Sequence, residues 1–479
     1  MKFGTVVARR GLAALLVGLI LGLGSPARAE SPTYYRDVAG ILQKNCQDCH
    51  RDGQVAPFSL LTYQQAKKRA GDLVEVTSKR FMPPWQASTT YGGPFHDQRG
   101  LEDAEIATLR EWAEGGCPEG NPADAPPTRE FAGDWPLGPP DLILSMAESF
   151  EVPANGADRF RIFVLKTDFP DTRWIKGVDY KPGSRKVVHH IFGAIDTSGL
   201  GLKLDAADPG PGFESEYDFG EGISVGPSLP IYTSGSRPRF APEGMGYVLP
   251  PKADILIQVH YHPTGKAAVD RTEVGLYLSD KPLPKPIRSS FVFPEISKVQ
   301  EAKLVDRSKA VGRDLTMNET FEDVLVIPAD EPNYVIKGTS GSGMLGKPFS
   351  REILLTSVTP HMHWRGKSFE MHAVLPDEKQ TQVPLIKIDH WDFNWQGSYY
   401  FVEPVKLPKG SYFEFTGRFD NSASNPVNPI QPPKVVHWNN RGDDEMCTAA
   451  YQYIVAEANA APPKPQAKPD SGNSQTSTK

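Results

Sequence analysis

Apolar residues recur with a helical period near the N-terminus and in shorter, strand-like runs elsewhere. Two groups with helical spacing lie before residue 120: Val38, Ile41 and Leu42, and then Ile106, Leu109 and Trp112. This spacing predicts two amphipathic helices that pack together. We expect the second helix to end at Gly115-Gly116, because glycine is a favourable C-terminal cap.

Beyond the helical region, β-rich runs are separated by clusters of proline, glycine, asparagine and aspartate. The clearest runs are residues 161–165, 255–261, 353–358 and 412–415. Short strands with frequent turn signals are typical of β-sandwiches. The chain's 43 glycines and 45 prolines agree with a turn-rich β structure.

A chain of 479 residues is long enough for roughly three domains of about 150 residues each. A Pro-, Glu-, Asp- and Ala-rich linker and three prolines within residues 281–286 suggest the boundaries. The predicted organisation is a helical domain at 30–125, a linker at 126–137, β domains at 138–285 and 286–456, and a disordered tail at 457–479.

The first 29 residues have the pattern of a secretory signal. Lys2, Arg9 and Arg10 precede an apolar run at 11–24 and an Ala-Arg-Ala cleavage pattern ending at Ala29. The run is shorter than the about 20 residues that a spanning helix needs, although a retained anchor is the alternative. We therefore expect a periplasmic or secreted protein with no membrane span after cleavage.

Charge and cysteine content narrow the class further. The net charge of -6 is mild, and no basic stripe with interleaved aromatic residues indicates nucleic-acid binding. Four cysteines are too few for a disulfide framework.

The sequence Cys46-Gln47-Asp48-Cys49-His50 is the pattern of c-type haem attachment. In this pattern two thiols bond to the haem vinyl groups and the adjacent imidazole ligates the iron. A redox CxxC or half of a zinc site is the alternative, but the chain has no second CxxC. The sequence therefore predicts one covalent haem c.

Met82 is the leading candidate for the sixth ligand of that iron, because it is the only methionine between Cys49 and the linker. A role for Met82 in core packing and ligation by His96 are the alternatives. A His/Met pair leaves no open position on the iron and favours electron transfer over oxygen chemistry.

Most of the other histidines form pairs: His189 with His190, His260 with His262, and His361 with His363. Residues i and i+2 of a strand share a face, so each His-x-His pair can chelate one metal. Adjacent His189 and His190 reach one metal only if a bulge or strand end reorients one of them. His260 or His262 can supply the third imidazole, and three imidazoles suit copper or zinc almost equally.

Met446 helps to choose between these metals. It lies in the polar stretch Asp443-Asp444-Glu445-Met446-Cys447, where a purely packing role is less expected. A thioether is a soft ligand that favours Cu(I) over zinc. A site of His361, His363 and Met446 therefore indicates redox copper.

The order of these motifs resembles the copper type II, ascorbate-dependent monooxygenases, which include peptidylglycine α-hydroxylating monooxygenase and dopamine β-hydroxylase. The resemblance covers about residues 138–456 and includes four motifs: His189-His190, Gln258-Val259-His260-Tyr261, His361-Met362-His363 and Asp444-Glu445-Met446-Cys447. The stretch Trp391-Asp392-Phe393-Asn394-Trp395-Gln396 is similar to dopamine β-hydroxylase. An N-terminal haem domain with Met82-Pro83-Pro84-Trp85 is similar to bacterial fusion proteins of this family.

The resemblance implies a small all-α cytochrome c domain followed by two all-β jelly-roll sandwich domains, each with one copper, facing across a solvent-filled cleft. It implies that His189, His190 and His260 hold the electron-transfer copper. It also implies that His361, His363 and Met446 hold the catalytic copper that binds O2. His262 has no counterpart among the family's ligands. Three roles stay open for it: a structural residue, a support for a ligand, or an alternative ligand.

The expected activity is insertion of one oxygen atom of O2 into a C–H bond of a small organic substrate. Electrons are expected from an ascorbate-like reductant or a periplasmic redox protein, or through the attached haem. Peptide amidation is not expected, because Thr359, Thr448 and Ala450 replace the family's peptide-binding residues. A disulfide between Cys117 and Cys447 or two free thiols are both left open. The alternatives are a non-catalytic periplasmic haem and copper electron-transfer protein and a zinc hydrolase.

Overall fold

The computed structural model describes residues 30–131, 133–214, 219, 223, 225–311, 315, 317–341, 346–439 and 441–456. The predicted signal peptide and C-terminal tail lie outside these residues. The described part is mostly β, with 22 strands and seven α-helices. Within it, no helix has the length and apolar character needed to cross a lipid bilayer.

The N-terminal part contains a π-helical turn at Tyr34–Val38 and four helices with one strand between them. These are α1 (Ala39–Asn45), α2 (Tyr63–Lys68), α3 (Ala70–Ser78), β1 (Ala87–Gly92) and α4 (Asp103–Glu114). The helices share a core in which Val38, Leu42, Leu109 and Trp112 are buried. α4 ends at the Gly115 cap, as the sequence predicts.

The next part of the chain forms two main sheets and one helix. Its strands are β2 (Leu142–Ser145), β3 (Phe150–Val152), β4 (Arg159–Leu165), β5 (Arg173–Lys181), β6 (Val188–Asp196), β7 (Tyr232–Thr233), β8 (Met245–Leu249), β9 (Asp254–Tyr261), β10 (Ala268–Asp270), β11 (Glu273–Ser279) and β12 (Lys285–Pro286), with α5 (Leu200–Ala207) after β6. One sheet has the order β12-β8-β5-β11-β2, another has the order β4-β9-β6-β7, and β10 pairs with β3.

The last part begins after the proline-rich segment at 281–286. Its elements are β13 (Arg288–Pro294), α6 (Lys298–Val311), α7 (Met317–Phe321), β14 (Val326–Ile327), β15 (Tyr334–Thr339), β16 (Ile353–Met362), β17 (Gly366–Val374), β18 (Gln382–Ile388), β19 (Tyr399–Leu407), β20 (Tyr412–Phe419), β21 (Val436–His437) and β22 (Cys447–Val455), with a 3₁₀ turn at Phe393–Trp395. β14 pairs with β21, and the other strands join one sheet of order β1-β18-β17-β20-β15-β13-β22-β16-β19.

The predicted fold class, an all-α domain followed by two jelly-roll sandwiches, is wrong. The N-terminal part is not an all-α cytochrome c domain, because β1 pairs with β18 and forms the edge of the nine-stranded sheet. Gly92 allows this approach: its φ is +73°, and a Cβ added there would lie 1.9 Å from the Leu385 carbonyl oxygen.

Aromatic packing joins the same N-terminal segment to the sheet. The Trp85 and Tyr399 ring centroids are 5.3 Å apart, and those of Phe95 and Phe401 are 5.1 Å apart. These residues belong to the core of the nine-stranded sheet rather than to the helical core.

The prediction of two jelly-roll sandwiches is also wrong. β13 pairs with β22 through residues 288–292 and with β15 through Phe293 and Pro294, so it links two halves into one continuous nine-stranded sheet. The β regions also share contacts, since the Tyr247 hydroxyl donates to Gln452 Oε1 at 3.0 Å.

Candidate functional site

Three predicted ligands come together on two paired strands. β6 carries His189 and His190, β9 carries His260, and the antiparallel register places His190 opposite His260. The register shifts between Val188 and His190, which marks an irregularity at His189. This is the kind of bulge that lets two adjacent side chains reach one point.

The Nδ1 atoms of these three histidines face one another. His189 Nδ1 lies 3.2 Å from His190 Nδ1 and 3.2 Å from His260 Nδ1, and the His190 and His260 Nδ1 atoms are 3.4 Å apart. A point equidistant from these atoms is about 1.9 Å from each, close to the 2.0–2.1 Å typical of imidazole–metal bonds. The group therefore fits a single metal ion.

Asp158 supports this group from outside. Its Oδ2 accepts a hydrogen bond from His260 Nε2 at 2.7 Å, and its Oδ1 accepts one from His262 Nδ1 at 2.8 Å. A proton on His260 Nε2 leaves the Nδ1 lone pair free for a metal. The His262 side chain is 55% exposed and contacts Asp158, so His260 is the third histidine of the group and His262 supports it.

Burial favours the neutral form of His189 and His190. It lowers the pKa of His189 to about 3 with help from the charge of His260, while a hydrogen bond to the Asn394 backbone opposes the shift. Burial and the neighbouring imidazoles also lower the pKa of His190 well below its usual value. Neutral imidazoles are the form that binds metals.

The second predicted cluster lies where β16 and β22 meet. His361 pairs with Thr448 and Met362 pairs with Cys447, so the antiparallel register brings Met446 opposite His363. The His361 and His363 ring centroids are 5.1 Å apart with an angle of 87° between the rings. Burial lowers the pKa of His361 to about 4 and that of His363 to about 3.

Buried hydrogen bonds fix the backbone around His363. The Glu445 carboxylate accepts from the His363 N–H at 2.9 Å and from the Arg365 N–H at 2.7 Å. His363 Nδ1 lies 3.1 Å from the Asp444 carbonyl oxygen, to which it can donate. That hydrogen bond leaves Nε2 as the atom available to a metal.

Phe393 contacts a histidine of each cluster. Its ring centroid is 5.6 Å from that of His189 and 5.9 Å from that of His363. The centroids of these two histidines are therefore at most about 11.5 Å apart.

The haem-type motif follows α1. His50 Nδ1 lies 3.2 Å from the Phe58 carbonyl oxygen, and this hydrogen bond leaves Nε2 available to an iron. Cys46 and Cys49 are free thiols, and burial raises the pKa of Cys46 to about 12. Two free thiols and an oriented imidazole fit a covalent haem.

The other residues predicted for the haem and for a disulfide lie in different parts of the fold. Met82 follows α3, where its N–H donates to the Val76 carbonyl at 3.2 Å, and its role as an iron ligand stays a prediction. His96 is exposed, and its N–H donates to the Tyr400 carbonyl. Cys117 is buried in the helical core and Cys447 in the core of the large sheet, and both are free.

The positions expected to distinguish the substrate lie within the sheet. Thr359 pairs with Ala450, and the Thr359 hydroxyl donates to Ser398 Oγ at 2.8 Å. The Thr448 hydroxyl is buried and donates to the Val292 carbonyl at 2.7 Å. Both hydroxyls are therefore used within the protein.

Sequence reasoning missed Asp158, Arg365, Phe393 and Glu445 as parts of the site. Asp158 precedes β4 without any motif, and its contact with His260 spans 102 positions. Phe393 and Glu445 lie inside motifs already noted for the family resemblance, and a search of those motifs for supporting residues could have identified them.

Comparison with protein-family models and with curated proteins gives no match. Among solved structures, PNGF-II in a C2 crystal form is 10% identical, with 67% of this chain and 66% of that chain covered and a TM-score of 0.23. The matched region thus spans just under two thirds of PNGF-II. Allantoicase from Saccharomyces cerevisiae is 10% identical, with 63% of this chain and 80% of that chain covered and a TM-score of 0.16. Similarities at this level carry no information about function.

Proposed function

We propose that this protein is a copper-dependent monooxygenase that inserts one oxygen atom of O2 into a C–H bond of a small organic substrate. The observation that carries the proposal is the convergence of the His189, His190 and His260 Nδ1 atoms, with the His361/His363 pair nearby and sharing a contact with Phe393. Met446 directly precedes β22, the strand that pairs with β16 beside His363. This combination of ligands suits redox copper.

His189, His190 and His260 would hold one copper, and His361, His363 and Met446 would hold the other. Bound copper would supply one-electron redox chemistry and an O2-binding position. The protein's own contribution is to orient His260 through Asp158 and His363 through the Asp444 carbonyl, and to favour the neutral form of His363 by burial. Two electrons and two protons are also required, because the second oxygen atom of O2 leaves as water.

The Cys46-Cys49-His50 segment would hold a covalent haem c that relays electrons within the chain. The segment that follows Met82 contacts the loop that carries Phe393. Gln86 Nε2 donates to the carbonyl oxygens of Asp392 at 2.7 Å and Trp395 at 3.1 Å, on either side of Phe393. Gln86, which follows the proposed iron ligand Met82 closely in sequence, is thus hydrogen-bonded to the loop that carries Phe393.

Metal analysis with Cu(II) electron paramagnetic resonance on the purified full chain tests this proposal. Wild type is expected to bind two coppers, His260→Ala to lose the first and Met446→Ala to lose the second. His437→Ala is the matched control, because His437 is exposed and lies outside both clusters. Zinc, or no copper after reconstitution, would overturn the assignment.

A non-catalytic electron-transfer protein is the second candidate. The contacts of Phe393 with His189 and His363 bring the two clusters close together, which fits transfer of electrons between two metals as well as catalysis. Oxygen uptake under an ascorbate-like reductant, with a screen for hydroxylated products, separates the two functions. Copper reduction without oxygen insertion would support the electron-transfer function.

A further inference from the structure

A cavity of about 790 Å³ lies where four segments of the chain meet. Residues 48–54 after the first cysteine, 178–185, 230–239 and 395–400 form most of its wall. This volume is in the range of small-molecule sites. The six side chains assigned above to copper are not among the described residues that line it, so the cavity is separate from the proposed copper sites.

Seven cationic and six carboxylate side chains line the cavity among the described residues, so the wall has a small excess of positive charge. Arg237 and Arg239 form ion pairs with Asp48 and Asp97. Within the described part of the chain, the guanidinium groups of Arg51, Arg99 and Arg185 have no carboxylate partner, although Arg185 donates to the Tyr232 hydroxyl.

The electrostatic surroundings of Arg51 agree with this excess. Burial lowers its pKa, Asp48 opposes the shift, and the charges of Arg185 and Arg129 add to it. A carboxylate near these guanidinium groups would relieve their mutual repulsion and form charge-assisted hydrogen bonds.

Aromatic rings form another part of the wall. Trp85, Trp395, Tyr399 and Tyr400 all line the cavity, and Arg239 lies over the Tyr400 ring at 5.1 Å. Flat aromatic rings suit a planar ligand that can pack against them.

We propose that this cavity binds an organic carboxylate that carries a flat ring. Arg51 and Arg185 contact its carboxylate, while the aromatic side chains of the wall pack against its ring. Two sources have this chemistry: a free aromatic acid, and the propionates of a haem joined to Cys46 and Cys49. Only the second source rests on the proposed haem attachment.

Calorimetric titration of the purified full chain tests the first source. The probe is 4-hydroxybenzoate, and its uncharged analogue 4-hydroxybenzamide is the ligand control. We expect the acid to bind at least about tenfold more tightly than the amide, and Arg51→Gln or Arg185→Gln to weaken acid binding by about tenfold or more. Arg418→Gln, at an exposed position on β20, is expected to leave binding unchanged.

Arg51→Lys keeps the positive charge and is expected to retain more of the acid binding than Arg51→Gln. Thermal unfolding of each variant shows whether a loss of binding reflects a loss of folding. Equal binding of acid and amide, or equal binding by wild type and both glutamine variants, would overturn the proposal for a free acid.

The midpoint potential of the covalent haem tests the second source. If the haem propionates are the carboxylates, the free acid does not bind, and both glutamine variants lower the potential because a positive charge near the iron is lost. Absence of acid binding together with unchanged potentials overturns the proposal. If the chain carries no covalent haem, the calorimetric titration alone tests whether the cavity binds a free acid. The haem part of the proposed function would then fail on its own.

Discussion

The Asp158 carboxylate accepts a hydrogen bond from His260 Nε2 at 2.7 Å and so directs the Nδ1 lone pair of His260 toward His189 and His190. Asp158→Asn removes the charge of this support and can present an N–H where an acceptor is needed. We expect it to weaken copper binding at this group by about 10–100-fold, the usual effect of losing such a partner. Competition with a chelator of known affinity measures the change.

Two controls define the effect at Asp158. Asp280→Asn changes an exposed carboxylate and is expected to leave copper affinity unchanged. His262→Ala removes the outer partner of Asp158 and is expected to have a smaller effect than Asp158→Asn. Unchanged affinity in Asp158→Asn would show that the three histidines orient themselves without this carboxylate.

Stability of the metal-free protein is expected to fall in acid because of its buried histidines. Burial lowers the pKa of His189 to about 3, of His361 to about 4 and of His363 to about 3. Between these values and the ordinary pKa of about 6.5, the unfolded chain binds protons that the folded chain does not. Each histidine therefore removes up to ~1.4 kcal/mol per pH unit as the pH falls through this window.

Denaturant unfolding at several pH values measures this loss, with a His189→Gln/His361→Gln/His363→Gln variant as the reference. Carboxylates contribute to acid sensitivity in both proteins, so the difference between the two curves isolates the histidines. Parallel curves between pH 6.5 and pH 4 would contradict the expected neutral state of these imidazoles.

The Glu445–Arg365 pair is expected to be the most sensitive structural point near the second cluster. Both side chains are fully buried, and Glu445 accepts from two backbone N–H groups. Glu445→Ala leaves the His363 and Arg365 N–H groups without their acceptor, which typically costs about 1–3 kcal/mol of unfolding free energy for each buried group. Arg365 keeps Asn421 Oδ1 and the Asp443 carbonyl oxygen as acceptors.

Urea unfolding and copper counting on the same sample measure both consequences of Glu445→Ala. We expect the variant to lose the copper assigned to His361, His363 and Met446, because the backbone of His363 is released. Glu352→Gln is the matched control: it breaks the exposed ion pair with Lys406 and should cost at most about 1 kcal/mol. A similar, small effect in both variants would show that the buried pair does not hold His363.

The sequence predicted local features better than it predicted the pairing of distant strands. The helical faces of residues 38–42 and 106–112, and the bulge needed at His189, depend on neighbours in sequence, and the structure has them. By contrast, β1 has a polar sequence between helices, and its pairing with β18 joins residues about 300 positions apart. The switch of β13 between two partners likewise depends on distant strands. Such pairings follow from the assembled core and have no local signal.

Phe393 is expected to support both histidine clusters at once, because one ring contacts His189 and His363. It is only 7% exposed, so Phe393→Ala should cost about 3–5 kcal/mol through the cavity that it leaves. Phe393→Leu keeps most of the volume and should cost less. Since Phe393 is not a proposed ligand, both variants should retain two coppers, with reduced affinity at both sites in the alanine variant. Loss of copper from only one cluster would show that the ring supports that cluster alone and that the two sites are held independently.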